Sequence, residues 1–133
     1  MFAVMEYALL HDVSEVILGD VTSPTKRAFP KLDKLMKRLE GEVMQPFGVG
    51  DISPLTKYIC KLADIVDCFY EALEEVSLGQ RSKEFAMVVD DVEGQLDKVK
   101  KKYSKEDIDE ARIDGFHSVA VELVAGLKGE YNI

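Results

Sequence analysis

The sequence predicts an all-α fold, one domain of about five helices spanning residues 1–133. Apolar residues recur close to the 3.6-residue helical period through each long segment. No stretch shows the alternation of a half-buried strand, and no internal repeat or low-complexity tract interrupts the pattern. Serine, proline and glycine stand where helices start and stop.

The first helix is expected from about Phe2 to Leu18, with Met5, Leu9, Val13, Val16 and Ile17 inward and Gly19 as its C-cap. Residues 20–25, with two threonines, a serine and a proline, read as a loop. The second helix covers about Pro30 to Met44, with Leu32, Leu35, Met36 and Leu39 on its inner stripe, and residues 45–51 form the next loop. Ser53-Pro54 is a good start for the third, an N-cap serine followed by a first-turn proline. That helix runs to about Val76 on Leu55, Ile59, Leu62, Ile65, Val66, Phe69, Leu73 and Val76, and Ser77-Leu78-Gly79 ends it. The fourth, from about Ser82 to Tyr103, turns Phe85, Val88, Val89, Val92, Leu96, Val99 and Tyr103 inward. Ser104 with Asp107 resembles a capping box opening the fifth. It extends to about Lys128 on Ile108, Ala111, Phe116, Val119, Ala120, Leu123 and Leu127.

A chain of 133 residues buries roughly 65–70% of its unfolded surface, enough for a real core. Its 47% hydrophobic and 32% charged residues are the balance of a soluble globular protein. The net charge of −8 argues against nucleic-acid polymers and anionic membranes as partners, because both select a basic surface. No apolar run approaches the ~20 residues of a spanning helix, and the first six residues lack the basic start of a signal peptide. Cys60 and Cys68, separated by about 12 Å of helical rise, are too far apart to pair. They read as buried free thiols, and a cytoplasmic location is expected.

The chemistry concentrates in Tyr7-Ala8-Leu9-Leu10-His11-Asp12-Val13-Ser14-Glu15-Val16-Ile17-Leu18-Gly19-Asp20. His11 and Glu15 share a helical face, and Asp12 is rotated about 100° from His11 yet within reach of a common ion. An imidazole with carboxylates suits Mn, Fe, Co, Ni or Zn better than the harder Mg, which stays an option. Such a site draws ligands from elsewhere, and the third helix offers Asp64. Asp64 stands among apolar residues, where an unpaired carboxylate is costly and a metal partner would explain it. Each residue also has a plainer reading. Asp64 is then an exposed acid or a partner of Lys61, Glu15 and Asp20 a solvated face and a turn, and Lys26 a solvated loop lysine. Arg27, Lys31, Lys34, Lys37 and Arg38 read as the wet side of the second helix.

Taken jointly, His11-Asp12-x-x-Glu15-Val16-x-x-Gly19-Asp20-x-x-x-Pro24-x-Lys26 resembles the HD-domain metal-dependent phosphohydrolases, in particular the branch of the bacterial 5'-deoxynucleotidases and their phage relatives. Lys61-x-Ala63-Asp64, followed by Phe69-Tyr70-x-x-Leu73-Glu74-Glu75, resembles that branch's second ligand helix, and the likeness runs from about Tyr7 to Tyr103. The resemblance implies an HD-like domain in which His11, Asp12 and Asp64 hold a divalent transition metal. Glu15 would position or deprotonate the attacking water, Asp20 would serve the leaving oxygen, and Lys26 would contact phosphate. The implied substrate is a small (deoxy)nucleotide, most simply a 5'-monophosphate cleaved to nucleoside and phosphate, with a triphosphate as the variant. The family places a further histidine ligand and a phosphate-binding arginine ahead of the His-Asp pair, whereas ten residues precede His11 and none is His or Arg. The sequence is therefore expected to be N-terminally shortened relative to the family. Either a longer chain or a second subunit completes the site, with a homo-oligomer expected, or the protein is a catalytically impaired HD-fold binding module. His117, the other histidine, is expected at the surface or between helices.

Overall fold

A computed structural model describes residues 2–21, 23–47 and 52–133, leaving aside the side chains of Phe2, Ala3, Ser23, Pro24, Arg27 and Phe47. Thr22 of the first predicted loop, residues 48–51 of the second, and the Arg27 side chain lie outside what is described. The described residues form α-helices joined by short connections, with no strand among them. The all-α expectation holds, and each of the five predicted helical stretches is helical. Among the described residues no helix is long and apolar enough to cross a membrane. The chain divides into two compact units, Met1–Ile52 and Ser53–Ile133.

The first unit holds α1 (Phe2–Leu10), α2 (Val13–Leu18), α3 (Ser23–Ala28) and α4 (Pro30–Met44), followed by a 3-10 turn at Gln45–Phe47. The predicted first helix is thus two helices. His11 N–H closes the last turn of α1 on the Tyr7 carbonyl at 2.8 Å, and Asp12 leaves helical geometry at φ −97°, ψ 0°. His and Asp are weak helix formers, and Asp favours the position that opens a helix, so the chain breaks where both fall together. The break dismantles the predicted stripe. Met5, Leu9, Val16 and Ile17 are exposed, while Ser14 is buried and α2 packs on α4. Gly19 ends α2 at φ 77°, a left-handed conformation that favours glycine, as its predicted C-cap role requires. Residues 23–25, read as loop, instead begin α3, which packs on α4. Ser23-Pro24 is the same start signal as Ser53-Pro54, and the brevity of the helix concealed it. In α4 Met36 is buried and Leu32 and Leu39 are half-buried as expected, but Leu35 faces solvent.

The second unit packs α5 (Pro54–Ser77), α6 (Lys83–Tyr103) and α7 (Glu110–Glu130) against one another. Ser53 and Ser82 cap α5 and α6, their hydroxyls accepting from the backbone N–H of Thr56 at 3.2 Å and of Phe85 at 3.3 Å. The predicted capping box at Ser104 is not formed. Ser104 instead donates its hydroxyl to the Lys100 carbonyl at the end of α6, and Asp109 caps α7 by accepting from Ala111 N–H. Ile108, just ahead of that cap, packs on the core.

The core is built on Tyr58, Phe69, Leu73, Val92, Leu96 and Val124. The α7 stripe differs in part from the expected one. Ala120 is buried and Ile108 and Leu127 pack on the core as expected, but Ile113 and Val124 are also buried, whereas Ala111, Phe116, Val119 and Leu123 are exposed. That helix is apolar on more than one side, so periodicity alone does not select its inner face. Cys60 is buried as expected, but Cys68 is exposed, and neither cysteine forms a disulfide. Burial pushes both thiols above their usual range, aided by Asp64 beside Cys60 and by Glu71 and Asp67 beside Cys68.

Polar ties cross the helices at chosen points. The buried Tyr58 hydroxyl donates to the Ile113 carbonyl at 3.0 Å, and its ring lies 5.4 Å from that of Tyr103. Between α6 and α7 the Lys100 ammonium meets Asp114, Lys128 donates to Glu93, and His117 Nε2 lies 3.1 Å from Asp97 Oδ1. His117 therefore occupies the interhelix position expected of it.

Tyr58→Phe should cost about 1 kcal/mol, the net value of one buried hydrogen bond, and Leu96→Ala about 2–5 kcal/mol from lost packing. Urea denaturation followed by circular dichroism measures both. The bond from Lys128 holds the Glu93 carboxyl below its usual 4.5. Because the folded value is depressed, its contribution is present above about pH 4.5 and disappears as pH falls through the lower folded value. Glu93→Gln should therefore destabilise the unit at neutral pH by less than about 1 kcal/mol, since the pair is half-exposed and screened. The difference from wild type should vanish in strongly acidic urea titrations.

Candidate metal centre

The centre is assembled by the break between α1 and α2. Tyr7 and His11 are four residues apart, which brings the two rings beside each other, centroids 5.5 Å apart and planes tilted by 32°. His11 Nδ1 lies 2.9 Å from the Ala8 carbonyl. A carbonyl only accepts, so Nδ1 carries a hydrogen, and in the neutral ring Nε2 is then the electron-pair donor. That nitrogen faces Asp12 Oδ1 at 3.3 Å. Two electron-pair donors this close attract when a proton or another cation lies between them. Histidines that bind metals commonly have one ring nitrogen fixed in this way by a backbone carbonyl, which leaves the other available. The donor set fits a divalent transition metal through one imidazole nitrogen and one carboxylate oxygen.

Glu15 sits one turn into α2, its backbone N–H bonded to the Asp12 carbonyl at 3.0 Å. Its carboxyl is pushed above the usual range, first by partial desolvation and then by the negative charges of Asp12 and Asp20. His11 and Lys26 pull in the opposite direction. The side chain is largely open to solvent, so the desolvation is that of one flank, and the carboxylate neighbours are the more telling influence. The five first-unit residues singled out in the sequence therefore share one electrostatic neighbourhood around Glu15. Asp20 is exposed just beyond Gly19, and Lys26 is half-buried on α3 rather than in a loop.

Asp64 belongs to the second unit. It is exposed on α5, so the desolvation cost expected of it does not arise there. It lines one side of an open, mostly apolar groove of about 710 Å³ between α5 and α7, to which Tyr70, Phe116 and Leu123 also contribute. Among the described residues no group of three or more His, Cys, Asp or Glu side chains gathers closely enough to hold a metal ion. Sequence reasoning did not find Tyr7 or the Ala8 carbonyl. The i, i+4 spacing of Tyr7 and His11 was the available signal for the first. The second depends on where the helix ends.

Residues 1–47 match the family model described as 5'-deoxynucleotidase YfbR-like. The matched stretch contains the Tyr7–Asp20 run and Lys26, and ends at the close of the 3-10 turn that follows α4. No curated protein and no solved structure matches the chain. The similarity to the 5'-deoxynucleotidase YfbR-like family thus rests on the part of the chain that carries the His11–Asp12 pair, and the second unit lies outside it.

Proposed function

We propose that this chain is a metal-dependent phosphohydrolase of (deoxy)nucleotides, cleaving a 5'-monophosphate to nucleoside and phosphate. The observation that carries the reading is the 5'-deoxynucleotidase YfbR-like match over the stretch in which His11 Nε2 and Asp12 Oδ1 converge. A divalent transition metal, when bound, supplies Lewis acidity toward the phosphoryl oxygens and acidity to a bound water. His11 and Asp12 would hold it. For Asp64 the ligand role rests on the sequence resemblance alone.

The remaining chemistry falls to this chain's own groups. Glu15, with its carboxyl raised, accepts the proton of the attacking water more readily than an ordinary glutamate would. Asp20 serves the leaving 5'-oxygen, and Lys26 offers a point charge to the phosphate. The substrate is a small molecule, in keeping with a net charge of −8 and a single local lysine, and the assembly proposed is a homo-oligomer in the cytoplasm.

The test is phosphate release from a panel of nucleoside and deoxynucleoside 5'-monophosphates and triphosphates with Mn, Co or Mg. Activity should appear with monophosphates. Asp12→Ala should lower it at least about 100-fold, since loss of even an outer partner of a ligand costs about 10- to 100-fold. Glu15→Gln should lower kcat by about 100-fold or more, the usual contribution of a positioned base. Equal release from wild type and Asp12→Ala, with no metal retained by either, would overturn the reading in favour of a binding module built on the same fold.

A further inference from the structure

The orientation of the His11 imidazole is over-determined by groups that the proposed chemistry does not itself use. α1 ends on the bond from His11 N–H to the Tyr7 carbonyl, which fixes where the His11 backbone stops. From that point the imidazole has several rotamers open to it. Two contacts select one. The Tyr7 ring flanks the imidazole at a 5.5 Å centroid separation, and the Ala8 carbonyl accepts from Nδ1 at 2.9 Å. The backbone contact fixes the tautomer, but a single bond to a carbonyl leaves the ring free to swing about it. The tilted stack on Tyr7 restricts that motion, and together they aim Nε2 at Asp12 Oδ1. The carboxylate side gets no comparable help. Asp12 opens α2 without any side-chain capping bond, and its side chain is 64% exposed against 23% for His11. The histidine is therefore the rigid half of the pair and the aspartate the adjustable half.

We infer that Tyr7 is a positioning residue of the centre, its ring restricting the swing of the His11 imidazole so that Nδ1–H stays on the Ala8 carbonyl and Nε2 is presented to a divalent cation. The inference rests on the proposed metal-binding function of His11 and Asp12. It concerns the ring of Tyr7 and not its hydroxyl, so phenylalanine should replace it and an aliphatic residue should not.

Two measurements on the full chain test it. The first needs no metal. The chain has two histidines, and His117, paired with Asp97 in the second unit, serves as an internal reference in a long-range nitrogen–proton NMR spectrum of the imidazoles. Wild type and Tyr7→Phe should show His11 as the Nδ1–H tautomer, and Tyr7→Leu should show a mixture. The second is titration with Mn or Co alone, read by calorimetry. Tyr7→Phe should stay within about twofold of wild type, and Tyr7→Leu should bind about tenfold more weakly, the usual effect of losing an outer partner of a ligand. Circular dichroism confirms that Tyr7→Leu remains helical. Should it not, Tyr7→Met, an unbranched side chain and a good helix former, takes its place in both measurements. Equal affinity of Tyr7→Leu and wild type overturns the inference, as does a Tyr7→Phe variant as weak as Tyr7→Leu. Failure of wild type to bind either metal, with the Nδ1–H tautomer intact, overturns the metal-binding reading instead and so separates the two.

Discussion

The end of α1 is the constraint on which the candidate centre depends. If the helix ran unbroken through His11 and Asp12, their side chains would leave the axis about 100° apart, and convergence would rest on their rotamers alone. The turn at Asp12 brings them within 3.3 Å. The same turn leaves the Ala8 carbonyl in the last turn of α1, where no intrahelical N–H claims every carbonyl, and the imidazole takes up that acceptor. Local chain geometry, ligand tautomer and donor convergence are thus consequences of one break. It costs the unit a continuous apolar stripe, as the exposure of Leu9, Val16 and Ile17 shows.

The second unit is organised on a different principle. Its three long helices meet along a continuous core, and the polar contacts that cross it are few and specific. The Tyr58 phenol is the deepest of them. Its hydroxyl is satisfied by the Ile113 carbonyl, so a polar atom is carried into the core without the penalty of an unpaired group. Its ring also spans toward Tyr103, which ties α5 to α6 and α7 through one side chain. Burial raises both phenols, Tyr103 with help from Glu106 and Tyr58 with help from Asp114, so they stay neutral donors across ordinary pH. The α6–α7 ion pairs lie nearer the surface and contribute alignment more than stability.

Much of this was legible in the sequence, for reasons that differ by element. The starts of α5 and α6 follow from Ser53-Pro54 and Ser82, because capping is a local interaction between a hydroxyl and an N–H three residues on. The start of α7 was not legible from Ser104, because that hydroxyl is taken by the Lys100 carbonyl at the end of α6 and Asp109 caps α7 instead. The inner face of α7 was ambiguous because packing is not local. Phe116, Val119 and Leu123 satisfy a helical period with Ala120 as well as Ile113 and Val124 do, and only the positions of α5 and α6 choose between them. At the candidate centre the residue types were legible and their order along the chain suggested the chemistry. The support around His11 was hidden, since it depends on a break at His11-Asp12 inside a stretch whose periodicity runs on to Leu18.

The electrostatics of the first unit bear on how the two roles assigned to its acids coexist. Asp12 and Asp20 both raise Glu15, and both do so as bare negative charges. In the proposed function the Asp12 carboxylate is engaged by a cation, and its push on Glu15 is then neutralised. The cation itself favours the ionised form of Glu15. What remains to keep Glu15 a competent base is its partial desolvation and the charge of Asp20, set against the pull of Lys26. Asp20 would then have two roles in the proposed function, serving the leaving oxygen and, by its charge, raising the carboxyl of a neighbour five residues earlier in the chain. The position just past Gly19 allows both, because the left-handed turn at that glycine sends the chain off the axis of α2 and carries the Asp20 charge within reach of Glu15.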